Sequence, residues 1–290
     1  MNAEAWNEDK HGGYFTETEH VSSTQMKCFN NSQLEYKGVY VTKTIPPPKP
    51  SFAMDLGSGA HVALWELPDL PTKVFNAGIK LDGRTKDGKQ QLVDQTAAAG
   101  GRILLWDGAY QDMMGMRESI LRHREGKRLV EMEAEWDEFG LRWQDKESGL
   151  WCKSKVDRMR FDWIVDLKTM NRATFREFEK SGLSSGKHIQ AAHYIEGHVD
   201  LLDFGKPKFF WIVVHSSAPY EVVVIRAGHD VIEEGLATRK RILAGIKKAR
   251  VTTIWEPEGY HDVQVWNLPP WMTQRESSAE PMDTLAAFGG

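Results

Sequence analysis

The stretch Val156–Met170, "VDRMRFDWIVDLKTM", decides how the chain is read. Two apolar runs flank the turn material "RFD", so the second run can fold back on the first as a β-hairpin. Into these runs the sequence sets Asp157, Asp166 and Lys168. With the turn near Arg160–Asp162, Asp157 falls opposite Asp166 or its neighbour. Cβ atoms directly across an antiparallel pair stand roughly 4.5–5.5 Å apart. Lys168, two residues on, projects from the same face as Asp166. Carboxylates that close repel, and one of them would stay protonated. A divalent cation between them removes the conflict, since Mg²⁺ prefers carboxylate oxygens and keeps waters for chemistry. The adjacent ammonium can then offset charge building on a phosphate.

Outward from the hairpin, Trp136, Leu141, Trp143, Leu150 and Trp151 lie in short runs broken by "DKESG", which predicts three or four antiparallel strands over 129–168. Helices are expected at 171–181 and 184–203. A second strand pair follows, "KFFWIVVHS" and "YEVVVIRA", and then the long helix "HDVIEEGLATRKRILAGIKKAR". Upstream, "SSTQMKCFNNS" starts a helix after Ser22 or Ser23, and "TIPPPKPS" can only be a loop. In "DLGSGAHVALWELPDL", Ser58 is the expected cap of a helix carrying His61 that Pro68 ends. Residues 83–101 read as an exposed basic loop with a helical piece, and "DGAYQDMMGMRESILRHREGKRL" as an amphipathic helix. This order predicts an α/β fold, a mixed central sheet flanked by helices. The expected division is a flexible segment over 1–21, a single domain over 22–272 with its core at about 129–226, and a flexible tail over 273–290.

Composition bounds the function. The 290 residues are 41% hydrophobic, enough for a sizeable core, and the net charge of −4 advertises no polyanion partner. A nucleic-acid enzyme of this charge must gather its Lys and Arg locally. "GRTKDGK" and "TRKRILAGIKKAR" are the candidate basic surfaces. Two cysteines, Cys28 and Cys152, allow no disulfide framework, which fits a reducing, cytoplasmic setting. The start "MNAEAWNEDKHGG" lacks an apolar signal core, and no run approaches the roughly 18 apolar residues that span a bilayer. No membrane association is expected.

Asp and Lys two apart on a strand often mark only a solvated face, so a second feature matters. In "HIQAAHYIEGH", Gln190 and Tyr194 stand four residues apart on one side of a helix, where both can bond a phosphate or hold a catalytic group. His188, His193 and His198 invite a metal reading, but steps of five residues turn them onto different faces. Most of the 11 tryptophans alternate with aliphatic residues and read as core.

An acidic residue, D-x-K on the next strand and Q-x-x-x-Y on the following helix resemble the PD-(D/E)XK nuclease superfamily. More narrowly they resemble its RecE-type, exonuclease VIII-like members of phage and prophage origin. The matching run extends from "WQDKESGLW" through "CKSKVD" and "DLKT" to the Gln-Tyr helix. With "SSTQMKCF" and "GSGAHVALWE", the likeness covers about residues 22–226. The resemblance implies a restriction-endonuclease-like core in which Asp157 and Asp166 bind metal, His61 is a further ligand and Lys168 is the catalytic lysine. Gln190 and Tyr194 would support the site or the scissile phosphate. A glutamate on the preceding strand is also implied; spacing to Trp143 favours Glu138, with Glu131, Glu133 and Glu135 as competitors. Where the family often has R-x-D, this chain has Lys155, which keeps the charge and loses a bidentate contact.

The implied activity is Mg²⁺-dependent digestion of linear double-stranded DNA, 5′ to 3′, leaving a 3′ single strand for recombination by annealing, with Mn²⁺ as a substitute metal. The implied partners are DNA ends, a single-strand annealing protein and further copies of the chain in a ring, as trimer or tetramer. Met282, Leu285 and Phe288 in the polar tail form a candidate docking peptide for the annealing protein. The competing readings are a catalytically silent DNA-end-binding or phage assembly module, and a metal-dependent endonuclease of the same fold.

Overall fold

A computed structural model describes residues 3–47, 51–82, 84–263 and 265–267. Met1–Trp255 forms one compact unit, shorter at its C-terminal end than the expected boundary at 272. Glu256–Gly290 is a second unit, whose described residues form turns closed by Tyr260 N to Pro257 O and Asp262 N to Gly259 O. The tail over 273–290, with Met282, Leu285 and Phe288, lies outside the described residues.

Among the described residues of the first unit, eight strands occur: β1 (Ala3–Ala5), β2 (Val74–Asn76), β3 (Ile103–Leu105), β4 (Trp136–Gln144), β5 (Trp151–Arg160), β6 (Trp163–Met170), β7 (Lys208–His215) and β8 (Val222–Arg226). Six of them make a sheet in the order β1-β4-β5-β6-β7-β8, while β2 and β3 pair in parallel apart from it. Only β6 and β7 run parallel within the six, so the sheet is mixed as expected. A parallel pair needs a long crossover. Helices Phe175–Gly182 and Lys187–Leu202 supply it and carry the Gln-Tyr motif onto the sheet.

The central strands are apolar on both sides because both sides are covered. Ile164, Phe209, Trp211 and Val213 face the layer of helices Ser23–Asn31, Lys187–Leu202 and His229–Thr252. Trp163, Val165, Leu167, Ile212 and Val214 face helices Phe52–Trp65 and Asp107–Arg122. Gly197 lets helix Lys187–Leu202 lie close on β4: a Cβ there would stand 2.7 Å from Trp143 and 2.8 Å from Leu141. No helix among the described residues is long and apolar enough to cross a membrane.

Three local expectations are corrected. The first residues are not loose throughout, because Ala3–Ala5 pair with Leu141–Trp143 and complete the sheet edge. Ser58 lies inside its helix, not at the cap; the chain turns helical at Phe52, and Ser51 Oγ accepts from Met54 N. The basic stretch after residue 83 holds a full helix, Lys86–Ala99, capped by Thr85 and closed by the left-handed Gly100. Weak amphipathicity hid it, since only Gly88 and Ala99 of that helix are buried.

Candidate active site

Three neighbouring strands bring the acidic residues into one row. Asp137 pairs with Arg158 and Phe139 with Val156, so Glu138 and Asp157 face each other between these rungs. Arg158 with Val165 is the last rung between β5 and β6; one step beyond it, Asp157 stands across from Asp166. The strand alternation changes parity here. In β4, Trp143, Leu141 and Phe139 face the helix Lys187–Leu202 layer, but so does Trp136. In β5, Cys152 and Val156 face it, but so does Met159. Glu138 and Asp157 sit at the switch. Glu138 takes a left-handed φ of 49°, a conformation that costs a non-glycine residue about 1–3 kcal/mol and concentrates at functional sites.

The helix Phe52–Trp65 lays His61 over this switch. Its Nδ1 lies 2.9 Å from Glu138 Oε1 and its Nε2 2.9 Å from Asp157 Oδ2, with the ring edge against Trp65. Burial works against the charged imidazole, but Asp157 and Glu138 outweigh it and lift the pKa to about 10. Burial also works against ionised Glu138, yet His61 and Lys155 hold its carboxyl down to about 2. Lys155 Nζ stands 2.9 Å from Glu138 Oε2. Asp157 Oδ2 accepts a further bond from the Leu167 amide, 2.7 Å, where the β5–β6 ladder has stopped.

Asp166 is only 1% exposed. Gln190 Nε2 donates to its Oδ1 at 2.9 Å and Lys168 Nζ lies 2.5 Å from its Oδ2. Burial pushes the Asp166 carboxyl above the usual range, against the pull of Lys168. Burial likewise opposes the Lys168 ammonium, but Asp166 and Asp157 raise its pKa, so the lysine keeps its charge. Gln190 Nε2 also reaches Tyr194 Oη at 3.2 Å. Burial and Asp166 keep Tyr194 a neutral phenol.

Glu138, Asp157, Asp166, Lys168, Gln190, Tyr194 and His61 therefore share one neighbourhood. Of the competing glutamates, Glu131 ends a helix beside Lys127 and Glu135 pairs with Arg160. Among the described residues, the donor group within mutual reach is His61, Glu138 and Asp157, whose ligand atoms lie within 4.8 Å of one another. Glu138 joins His61 and Asp157 in this group, and Asp166 stands beside it, engaged by Lys168 and Gln190. Two carboxylates and an imidazole suit a hard or borderline divalent cation such as Mg²⁺ or Mn²⁺. The site lies in a cleft of about 890 Å³ that His61, Glu138, Asp157, Lys168, Lys155 and Tyr194 help to line.

Two residues escaped the sequence reading. Burial, with Lys168 nearby, lowers the pKa of Lys27 to about 8, and the same causes lower that of Lys187. Both carry their charge close to Lys168 and Asp166. Lys27 lies in a segment already marked as a helix, and nothing in its spacing set it apart. In the stretch "TRKRILAGIKKAR", Arg239 is 4% exposed and paired with Asp145 at 2.8 Å, and Arg250 bonds the Glu19 carbonyl and Tyr36, while Lys240, Arg241, Lys247 and Lys248 are exposed. These two arginines hold the fold together through contacts within the chain. His193 and His198 bond the carbonyls of Lys153 and Arg160, which agrees with the rejected metal reading.

Comparison with solved structures finds the same fold in a "Putative exonuclease" from Eubacterium rectale. The TM-score is 0.61 at 14% identity, over 91% of this chain and 95% of that one. No curated protein sequence matches. Residues 22–259 match the family model described as "PDDEXK-like domain of unknown function (DUF3799)". The α/β sheet, the acidic row and the lysine two residues beyond it accord with that match, and the chain belongs to this PDDEXK-like family.

Proposed function

We propose that the chain is a metal-dependent exodeoxyribonuclease acting on linear double-stranded DNA. The observation that carries the reading is the row Glu138–Asp157–Asp166, closed by His61 on one side and Lys168 on the other, at the floor of an open cleft. His61, Glu138 and Asp157 would hold the metal, with Mg²⁺ as the expected ion and Mn²⁺ as its substitute. A divalent cation held there supplies Lewis acidity toward a phosphodiester and lowers the pKa of a water.

The chain's own groups do the rest. Lys168 keeps its proton between Asp166 and the cleft and stabilises negative charge on a phosphoryl oxygen. Gln190 fixes the rotamer of Asp166, and Tyr194, bonded to Gln190, fixes Gln190 in turn. Lys27 and Lys187 extend the positive charge around Lys168, which suits a polyanion despite the net charge of −4.

The finer reading follows the RecE-type resemblance: 5′ to 3′ digestion, a 3′ single-stranded product for annealing, a ring of copies and an annealing partner in the cytoplasm. Duplex DNA labelled at one 5′ end tests it. Early release of labelled nucleotides supports the polarity, and shortening from the 3′ side overturns it. Cutting of covalently closed circles would replace the exonuclease with an endonuclease.

A further inference from the structure

The turn Gly13–Glu17 stands on the rim of the cleft. Thr16 N and Glu17 N both donate to Gly13 O, at 3.1 and 3.0 Å. Lys153, a β5 lysine only 3% exposed, binds the turn down: its Nζ donates to the carbonyls of Tyr14 at 2.6 Å and Glu17 at 2.5 Å. It also pairs with the Glu17 carboxylate at 3.2 Å. The Tyr14 ring meets the Trp6 ring edge-on and lies 4.8 Å from the same ammonium. The turn is thus fixed on both sides of Phe15, and yet Phe15 is 82% exposed.

A lone exposed phenyl ring is ordinary on a surface. Phe15 differs in what surrounds it. It lines the cleft that holds His61, Glu138, Asp157 and Lys168. Its ring centroid lies 5.4 Å from Lys155 Nζ, the ammonium that pairs with Glu138. Met54, 58% exposed, lines the same cleft and adds a second apolar side chain to a charged floor. Phosphate hydrolysis has no use for a phenyl ring. A nucleobase does, because every base offers a π-face to an aromatic side chain.

We propose that Phe15 is the stacking platform for a base of the strand being cut, so that this strand lies unpaired in the cleft with its backbone toward Lys168 and the metal-binding groups. The inference rests on the nuclease reading and adds to it the state of the substrate, a single strand drawn from a duplex end. Phe15 precedes the span 22–259 that the family model matches, so the platform is a feature of this chain outside that domain pattern. Because the ring is exposed and its turn is held by backbone and Lys153 contacts, its replacement leaves the fold intact.

Steady-state digestion of linear duplex by the full chain in Mg²⁺ or Mn²⁺ tests the proposal. Phe15→Ala and Phe15→Leu are expected to raise KM about tenfold with kcat within about twofold, and Phe15→Trp to restore KM. Wild-type protein irradiated with a 5-iodouracil-substituted strand should cross-link at Phe15. Unchanged KM in Phe15→Ala, with wild type digesting DNA and cross-links mapping elsewhere, would overturn the platform and leave the nuclease standing. A wild type that neither binds nor cuts DNA in either metal would overturn both.

Discussion

Glu138 and Asp157 face each other across β4 and β5 at the register position where both strands change which side chains they turn inward, and His61 joins them, 2.9 Å from each carboxylate. Opposed carboxylates at adjacent positions destabilise a sheet unless positive charge intervenes. Here the imidazole supplies that charge, lying between the two carboxylates.

That relationship predicts stabilisation by metal. A cation bound only by the folded protein at a hundred times its dissociation constant adds about 2.7 kcal/mol. Mn²⁺ is expected to raise the melting temperature of wild type, and Glu138→Gln or His61→Ala to abolish most of the rise. Differential scanning fluorimetry with and without EDTA reads the difference.

Metal binding should also release a proton. His61 has a pKa lifted to about 10, so at pH 7 its nitrogen carries a proton that a metal–nitrogen bond must displace. Apparent affinity therefore rises about tenfold per pH unit below 10. Titration calorimetry in buffers of different ionisation heat should give about one proton released per metal ion. In His61→Ala this release should vanish.

Acid stability has a separate origin in His193. The side chain is fully buried against Trp143 and Arg239, and burial, with Arg239, pushes its pKa down to about 3. Unfolded histidine titrates near 6.5, so between about pH 6.5 and 3 the unfolded chain binds the extra proton and stability falls as pH drops. The contribution approaches about 1.4 kcal/mol per pH unit. Urea midpoints between pH 7 and 5 should fall less steeply in His193→Gln, even though that variant starts less stable.

Gly197 sets how closely the Gln190–Tyr194 helix approaches β4. The Cβ of Gly197→Ala would press on Trp143 and Leu141, two residues buried in the core. Overpacking of this kind costs about 1–3 kcal/mol. Chemical denaturation should show that loss, with activity reduced through displacement of Gln190 from Asp166.

The hairpin carried most of what was legible. Asp166 and Lys168 fall where the strand period puts them, because a period of two in a buried run leaves few alternatives, and the turn brings Asp157 across from them although it sits where the β5 alternation switches. Spacing to Trp143 favours Glu138 but leaves Glu131, Glu133 and Glu135 in competition, since the left-handed φ of Glu138 breaks the very alternation by which a strand is read. Strand β1 escaped because three residues of edge strand carry no pattern, and only pairing with Leu141–Trp143 makes them one. Lys27 and Lys187 escaped because their meaning lies in proximity to Lys168 across the fold, a relation that no spacing in the chain encodes.

The central claim is that His61, Glu138, Asp157 and Lys168 form one metal-dependent hydrolytic site. Its most direct measurement is digestion of linear duplex DNA by wild type, Asp157→Asn and Lys168→Ala, each in Mg²⁺, Mn²⁺ and EDTA, with circular dichroism to verify folding. The predicted result is nucleotide release by wild type only with metal, and a loss of about a hundredfold or more in each folded variant. Release in EDTA, or full activity in a folded Lys168→Ala, would contradict it.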